Sequence, residues 1–188
     1  NAKEAMNLGT IMKQFYKLYK NEEVQETLNF TFGLHGYLEN MQQLNKLIQT
    51  KELHVCKYNN KGKTTFTKAL YPLVNKSSSV TNDYNLNKNM IITGPNASGK
   101  TTLLKTTMIN IILSQQFGCG YYKKASIDTY DKIHCYLNIP DTSGRDSLFQ
   151  AEARRCMSIL EYIESNKKKR HFCAFDELYS GTNPYEAV

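Results

Sequence analysis

An α/β fold preceded by a helical segment is what this sequence predicts, and three observations support it. The first is the run Gly94-Pro95-Asn96-Ala97-Ser98-Gly99-Lys100-Thr101, which satisfies the pattern G-x-x-x-x-G-K-[ST]. The second is its setting. Met90-Ile91-Ile92 precedes the run as a buried strand would, and a helix-periodic segment follows, with Leu104, Met108, Ile111 and Ile112 on one face and Gly118 as its C-cap. The third is Phe172-Cys173-Ala174-Phe175, a short apolar run suited to a central buried strand, which leads directly into Asp176-Glu177.

The remaining elements follow from periodicity. Residues 1–52 are helical in pattern. Leu8, Ile11/Met12, Phe15 and Leu18/Tyr19 recur at helix spacing, as do Leu34, Leu38, Met41, Leu44 and Ile48, and Gly33 and Gly36 punctuate the junction between two helices. From Leu53 the texture changes. Leu53, Val55 and Tyr58 start a strand, Asn59-Asn60-Lys61-Gly62 supplies turn chemistry, and Thr64 to Thr67 returns, which together read as a β-hairpin. Tyr71-Pro72-Leu73-Val74 ends that unit, and the polar tract Asn75 to Asn89 reads as a loop. Ile133, Cys135, Leu137 and Ile139 alternate as a half-buried strand. Asp146 or Ser147 then caps a helix with Phe149, Cys156, Ile159/Leu160 and Ile163 on one face. The expected division is a helical segment at 1–52 and an α/β domain at 53–188.

Composition narrows the setting. The 188 residues hold a globular share of apolar and charged side chains, with no stretch apolar enough to span a bilayer and no secretory signal pattern. The chain opens on Asn1 rather than Met, as a piece of a longer protein would. Five scattered cysteines (Cys56, Cys119, Cys135, Cys156, Cys173) without a C-x-x-C pair suggest an intracellular, reducing compartment and no zinc. Net charge is +7, and it is unevenly spread: residues 51–76 hold six lysines against the single Glu52. That segment is either a solvated hairpin or a contact for a phosphate backbone. The run Lys167-Lys168-Lys169-Arg170 has the same two readings, with a charged surface turn as the default.

The first motif has a definite chemistry. Glycines let successive backbone N–H groups turn inward as a nest, and the following helix points its positive end at a bound phosphate. Gly94 to Thr102 would then cradle ATP, with Lys100 reaching the β/γ-phosphates and the Thr101 hydroxyl on Mg²⁺. An apolar strand ending in Asp176-Glu177 downstream of such a loop has the Walker B pattern. Asp176 would hold Mg²⁺, and Glu177 would accept a proton from the attacking water. Both carboxylates are expected beside the loop, at the carboxyl edge of a sheet. ATP hydrolysis is the leading reading, with Lys100 and Glu177 as the catalytic residues and catalysis by positioning and charge stabilisation.

Gly-Pro-Asn-x-x-Gly-Lys-Thr-Thr-Leu-Leu-Lys would also suit an ABC transporter or a chromosome-structural ATPase, but those families carry a Leu-Ser-Gly-Gly-like segment before Walker B. Here the stretch is Asp141-Thr142-Ser143-Gly144-Arg145-Asp146-Ser147-Leu148-Phe149-Gln150-Ala151-Glu152. It resembles the MutS family signature, in which an acidic residue and Gly precede Ser-Thr-Phe and then Glu. Ile91-Ile92-Thr93-Gly94-Pro95-Asn96 is similar to that family's strand and phosphate loop. Asp176-Glu177-Leu178 with Gly181-Thr182 and Tyr185 is similar to its Walker B and following loop. Ser114-Gln115-Gln116-Phe117-Gly118-Cys119 resembles the end of its phosphate-loop helix, and Tyr71-Pro72 stands where the family usually has His-Pro. The resemblance runs from about Leu34 to Val188. It departs at Ala97-Ser98 (Met-Gly in bacterial mismatch-repair members), at Tyr121-Tyr122-Lys123 (Val-Pro-Ala) and at Tyr179-Ser180 (Gly-Arg). In this the chain is similar to MutS-like proteins of large DNA viruses.

The resemblance implies a P-loop NTPase with an ABC-type ATPase core, here incomplete after Walker B, preceded by the end of a clamp-and-lever region. It implies composite ATP sites in a homo- or heterodimer. In these Lys100, Thr101, Asp176 and Glu177 serve ATP and Mg²⁺ in cis, and Ser147 meets the γ-phosphate held by the partner. Asn96 would sense the same phosphate, and Val80 and Asp83 match the region where the family holds adenine. The implied partner is double-stranded DNA, mismatched or branched, and no membrane. The alternative is a nucleotide-gated assembly module of the ABC or structural-maintenance class, with little turnover or no mismatch specificity.

Overall fold

The computed structural model describes residues 2–74, 79–137 and 148–178. The chain divides into two compact units, Asn1–Lys51 and Glu52–Val188.

The first unit is two helices, α1 (Ala2–Lys20) and α2 (Glu22–Gln49). The break between them falls at Asn21, not at the glycines. Asn21 caps α2 by accepting from the Val24 N–H at 3.2 Å, and Glu22 and Glu23 in the first turn complement the helix dipole. α2 runs unbroken through Gly33 and Gly36, where a side chain would meet no atom within 4 Å. Nothing there requires a break, and glycine costs only about 1 kcal/mol against alanine inside a helix. No residue of α2 is buried in this unit, and Ile11, Met12, Phe15, Leu34 and Leu38 are exposed.

In the second unit a mixed α/β arrangement surrounds helix α3 (Lys100–Phe117). The strands ahead of it are β1 (His54–Val55), β2 (Lys57–Tyr58), β3 (Thr65–Ala69) and β4 (Asn82–Asn85); after it come β5 (Cys119–Gly120) and β6 (Lys124–Ile127). β1 pairs antiparallel with β5, and the other four form a sheet in the order β2-β6-β3-β4. The expected hairpin is therefore absent. β6 lies between its two arms, parallel to β2 and antiparallel to β3. The expected loop from Asn75 to Asn89 also contains a strand, because β4 pairs with β3. Polar Asn82, Asp83 and Asn85 conceal it, while Tyr84 packs against Phe66 at 5.3 Å.

α3 covers the inner face of this sheet. The core joins Cys56, Phe66, Ala69, Ile111, Tyr122, Ala125, Ile127 and Tyr130. The buried stripe of α3 is Thr106, Thr107, Asn110, Ile111 and Ser114; of the apolar stripe the spacing predicts, only Ile111 is buried, and Leu104, Met108 and Ile112 are half-buried. Its polar members are all partnered. Thr107 donates to the Tyr84 hydroxyl at 2.9 Å, Asn110 Oδ1 accepts from the Tyr121 N–H at 2.7 Å, and Ser114 Oγ shares a hydrogen with Tyr122 Oη at 2.9 Å. Gly118 ends the helix with φ 71° and donates to the Ser114 carbonyl, as expected of a C-cap.

The third sheet is a parallel pair, β7 (Lys132–Tyr136) and β8 (His171–Phe175), joined through α4 (Leu148–Ser165). In β7 the buried residues are His134 and Tyr136, opposite to the expected Ile133/Cys135 alternation. Ile133 and Phe172 pack against the main core, so both faces of the pair are covered. β8 is paired on one edge only among the described residues, and Ala174 is its sole buried position. Along α4 Ile159 is buried and Leu160 is exposed.

Candidate functional site

The loop from Gly94 to Gly99 leads into the first turn of α3. Ser98 N donates to the Pro95 carbonyl at 3.3 Å, closing a turn over Asn96 and Ala97. Ala97 stands at φ 61° and Gly99 at φ 92°, so the chain twice enters the left-handed region within three residues. For Ala97 that conformation costs about 1–2 kcal/mol, which the surrounding turn must offset. Gly94 has a packing reason, since a Cβ there would lie 2.9 Å from Ser98 Oγ. Gly99 caps α3 without any side-chain hydrogen bond, so the first-turn amides of the helix stay available to an anion.

Lys100 folds over this loop. Its ammonium donates to the carbonyls of Gly94 at 3.0 Å and Pro95 at 2.9 Å, which fixes a cation above the turn. The carboxyl end of β8 arrives from the other side. Asp176 N donates to the Tyr136 carbonyl at 2.9 Å, continuing the β7–β8 ladder, and Thr101 Oγ1 donates to Asp176 Oδ2 at 2.6 Å. Residues 75 positions apart in the chain are thereby joined by a hydrogen bond from a hydroxyl to a carboxylate. Two hard oxygens side by side suit Mg²⁺, which takes one or two protein oxygens and keeps the rest for water and phosphate.

Glu177 is exposed and sits at φ 47°. It is brought to the end of β8 but not into the cleft beside the loop. That cleft encloses about 560 Å³ between the loop, the first turns of α3 and a wall formed by Leu70, Tyr71, Val74, Ser79, Val80 and Asn82. Lys100 and Thr102 line it; Asn96 and Thr101 do not. Of the two residues expected near a base, Val80 reaches the cleft, whereas Asp83 accepts from the Lys68 backbone N–H at 2.6 Å. Leu70 and Val74 escaped the sequence reading because nothing local marks a residue as the wall of a cleft. Their signal was only their position just beyond Thr67. Ser147, together with Gly181, Thr182 and Tyr185, lies outside the described residues.

Met90-Ile91-Ile92 does not form the expected strand. Residues 91–95 carry no strand pairing, and Ile91 is 91% exposed. An apolar run becomes a strand only where another strand offers it a ladder, and among the described residues none does.

The family profile of MutS domain V matches residues 90–188. This chain belongs to that family. The matched span of MutS domain V covers the Gly94–Thr101 loop, α3, the β7–α4–β8 crossover and Asp176-Glu177; β1 to β4 lie ahead of it. Among similar proteins, the putative endonuclease MutS2 of Bacillus subtilis is 27% identical over 180 residues, 92% of this chain and 21% of that protein. The DNA mismatch repair protein MutS of Cytophaga hutchinsonii is 32% identical over 100 residues, 53% of this chain and 11% of that protein. The DNA mismatch repair protein MutS of Finegoldia magna is 32% identical over 120 residues. The chain thus spans about a fifth of the length of these MutS2 relatives, 21% of the Bacillus subtilis protein and 21% of the endonuclease MutS2 of a Geobacillus strain. Among the described residues no helix is long and apolar enough to cross a membrane.

Proposed function

We propose that this chain is the ATP-binding and ATP-hydrolysing part of a MutS-like DNA mismatch repair or DNA-processing protein, built on a P-loop core with composite sites in a dimer. The supporting observation is the 2.6 Å bond from Thr101 to Asp176, formed where Lys100 lies over the Gly94–Gly99 turn. Bound ATP and Mg²⁺ would supply the phosphoanhydride to be cleaved and the charge neutralisation that its cleavage needs. The Lys100 ammonium exchanges the Gly94 and Pro95 carbonyls for phosphate oxygens, and the amides of the first α3 turn hold the same anion. Thr101 and Asp176 present the oxygens for the metal. The Glu177 carboxylate, exposed at the end of β8, would take the proton from the attacking water once turned towards the cleft. Ser147 would complete the partner's site, and Asn96 would touch the terminal phosphate. The relatives named for DNA mismatch repair support DNA as the partner of the whole protein.

The exposed position of Glu177 favours a second reading, a nucleotide-gated assembly module that binds ATP and scarcely turns it over. One experiment separates the two. Lys100→Ala should abolish ATP binding, and Glu177→Gln should keep binding while losing hydrolysis. Equal ATP affinity in Lys100→Ala and wild type sinks both readings. Unchanged slow turnover in Glu177→Gln leaves only the module. Turnover that is independent of protein concentration and indifferent to Ser147→Ala removes the composite site.

A further inference from the structure

Between Leu53 and Ile127 the chain carries ten lysines and a single carboxylate, Asp83. Among the described residues only one of those lysines, Lys100, lines the cleft beside the Gly94–Gly99 turn. A nucleotide bound there would account for one of these charges and leave the other described lysines unexplained.

The sheet gathers several of them on one side. Its inner face, Phe66, Ala69, Ala125 and Ile127, is buried against α3. On the opposite face the register sets Lys57 beside Ser126, Ser126 beside Thr65 and Thr65 beside Asn85, one row across all four strands. The next row sets Lys124 beside Thr67. Lys57 and Lys124 thus share a face on neighbouring strands, two residues apart in register. Asn59 Nδ2 donates to Ser126 Oγ at 2.8 Å and to the Lys63 carbonyl at 2.9 Å, which pins the turn carrying Lys61 and Lys63 to the same face. All four of these lysines are exposed, and among the described residues none makes an ion pair. Of the nearby carboxylates, Asp83 accepts from Lys68 N, and Asp128 accepts from the Gly62 N–H in the turn between Lys61 and Lys63 while its charge is paired with Arg170 at 3.5 Å. Like charges gathered on one face repel one another, so stability alone does not explain the cluster.

We propose that this outward sheet face is a contact surface for the phosphate backbone of duplex DNA, independent of base sequence. It deepens the reading given under Proposed function, which it rests on for DNA as the polyanion, by assigning a DNA-facing surface to the ATPase unit itself. Lysine, threonine, serine and asparagine are the side chains that bind phosphate oxygens. No arginine occurs between Leu53 and Ile127 to read base edges. On this face, among the described residues of the four strands, no aromatic ring is offered for stacking unpaired bases either. Tyr58 pairs with Ile127 on the inner side and donates to the Ser114 carbonyl, and Phe66 and Tyr122 are buried.

The test measures binding of the whole 188-residue chain to a labelled 20-base-pair duplex of mixed sequence, by fluorescence anisotropy at 50 to 200 mM salt without nucleotide. Each phosphate contact contributes about 0.9 to the slope of log affinity against log salt. Lys57→Gln/Lys63→Gln/Lys124→Gln should therefore flatten the slope by between about 2 and 3. Over this salt range that makes the wild type more salt-sensitive than the variant by a factor on the order of 40. Lys57→Gln alone should flatten it by about 1, which keeps the test valid should the triple variant misfold by circular dichroism. Lys167→Gln/Lys168→Gln/Lys169→Gln removes the same charge from the α4–β8 turn and should retain the wild-type slope. Equal slopes in the two triple variants, a wild-type slope in the sheet variants, or tighter binding of a single-stranded 20-mer would each overturn the assignment. Lys100→Ala separates this proposal from the nucleotide reading: it should lose ATP binding and keep the DNA slope. If instead it binds ATP as the wild type does, only the nucleotide reading falls.

Discussion

Asn110 makes a sharp test of how the candidate site is built. Its side chain is fully buried on α3, ten residues beyond Lys100, and it bonds to both of two segments that are themselves joined by the Leu70 N–H to the Tyr121 carbonyl at 2.8 Å. Oδ1 accepts from the Tyr121 N–H at 2.7 Å, and Nδ2 reaches the Leu70 carbonyl at 3.5 Å, where β3 turns into the cleft wall. Asn110→Ala removes both. The longer bond is marginal, so the cost comes mainly from a buried N–H left unpaired, about 1–3 kcal/mol, with a small cavity added. A loss of about 2 kcal/mol should lower the urea midpoint by roughly 1 M at a slope near 2 kcal/mol per molar, with the slope unchanged. A second change supplies the control. A Cβ on Gly120 would lie 2.8 Å from Asn110 Oδ1 and 2.5 Å from the Tyr122 ring. Gly120→Ala should therefore destabilise, and less so in the Asn110→Ala background, because one of its two clashes has gone. A midpoint shift below about 0.2 M for Asn110→Ala, or strict additivity of the two changes, would refute this picture of α3.

Two further outcomes follow from the same geometry. Thr101→Val keeps the branched shape and deletes the hydroxyl bound to Asp176, so any rise in thermal midpoint given by ATP with Mg²⁺ over ATP with EDTA should vanish; Thr101→Ser should retain it. His134 is the second case. Burial, then His171, Lys132 and Arg155, lower its pKa below the ordinary 6.5, and Tyr162 packs edge-on against it without changing the charge balance. The folded chain then binds fewer protons than the unfolded one in the interval beneath pH 6.5, so this contribution is complete above that pH and is lost as pH falls through the lowered value. Thermal midpoints taken from pH 8 to 5 should fall more steeply on the acid side in wild type than in His134→Gln; parallel curves would refute the assignment.

Sequence showed what is local and missed what is remote. The glycine-rich turn, the C-cap at Gly118 and the strand ending in Asp176 are each spelled by adjacent residues and each forms, although β8 is paired on one edge only among the described residues and buries only Ala174 rather than lying as a central buried strand. The hairpin failed because chain proximity suggests that β2 meets β3, whereas β6 arrives from more than fifty residues away and supplies better ladders to both. β4 was hidden because asparagines and aspartate are poor strand formers, and only Tyr84 faces the core. The α3 stripe was misjudged because hydrophobic spacing cannot reveal that Thr107, Asn110 and Ser114 each meet a specific polar partner. At the candidate site, the meeting of Thr101 with Asp176 was implied by two motifs together, whereas the wall at Leu70 and Val74 depends on where β3 ends.

The polar stripe of α3 has a consequence that an apolar one would lack. Hydrophobic contacts tolerate small slides, because burial is non-directional. Hydrogen bonds do not, since they weaken steeply with angle and distance. α3 is held at four levels along its length: Thr101 to Asp176, Thr107 to Tyr84, Asn110 to Tyr121, and Ser114 to Tyr122. A translation by even one residue, 1.5 Å, would break every one and leave buried groups unpaired at about 1–3 kcal/mol each. The helix that begins at the glycine-rich turn is therefore keyed to β4, to the β5–β6 turn and to the end of β8. Any movement at its first turn must either strain those bonds or take their partners with it.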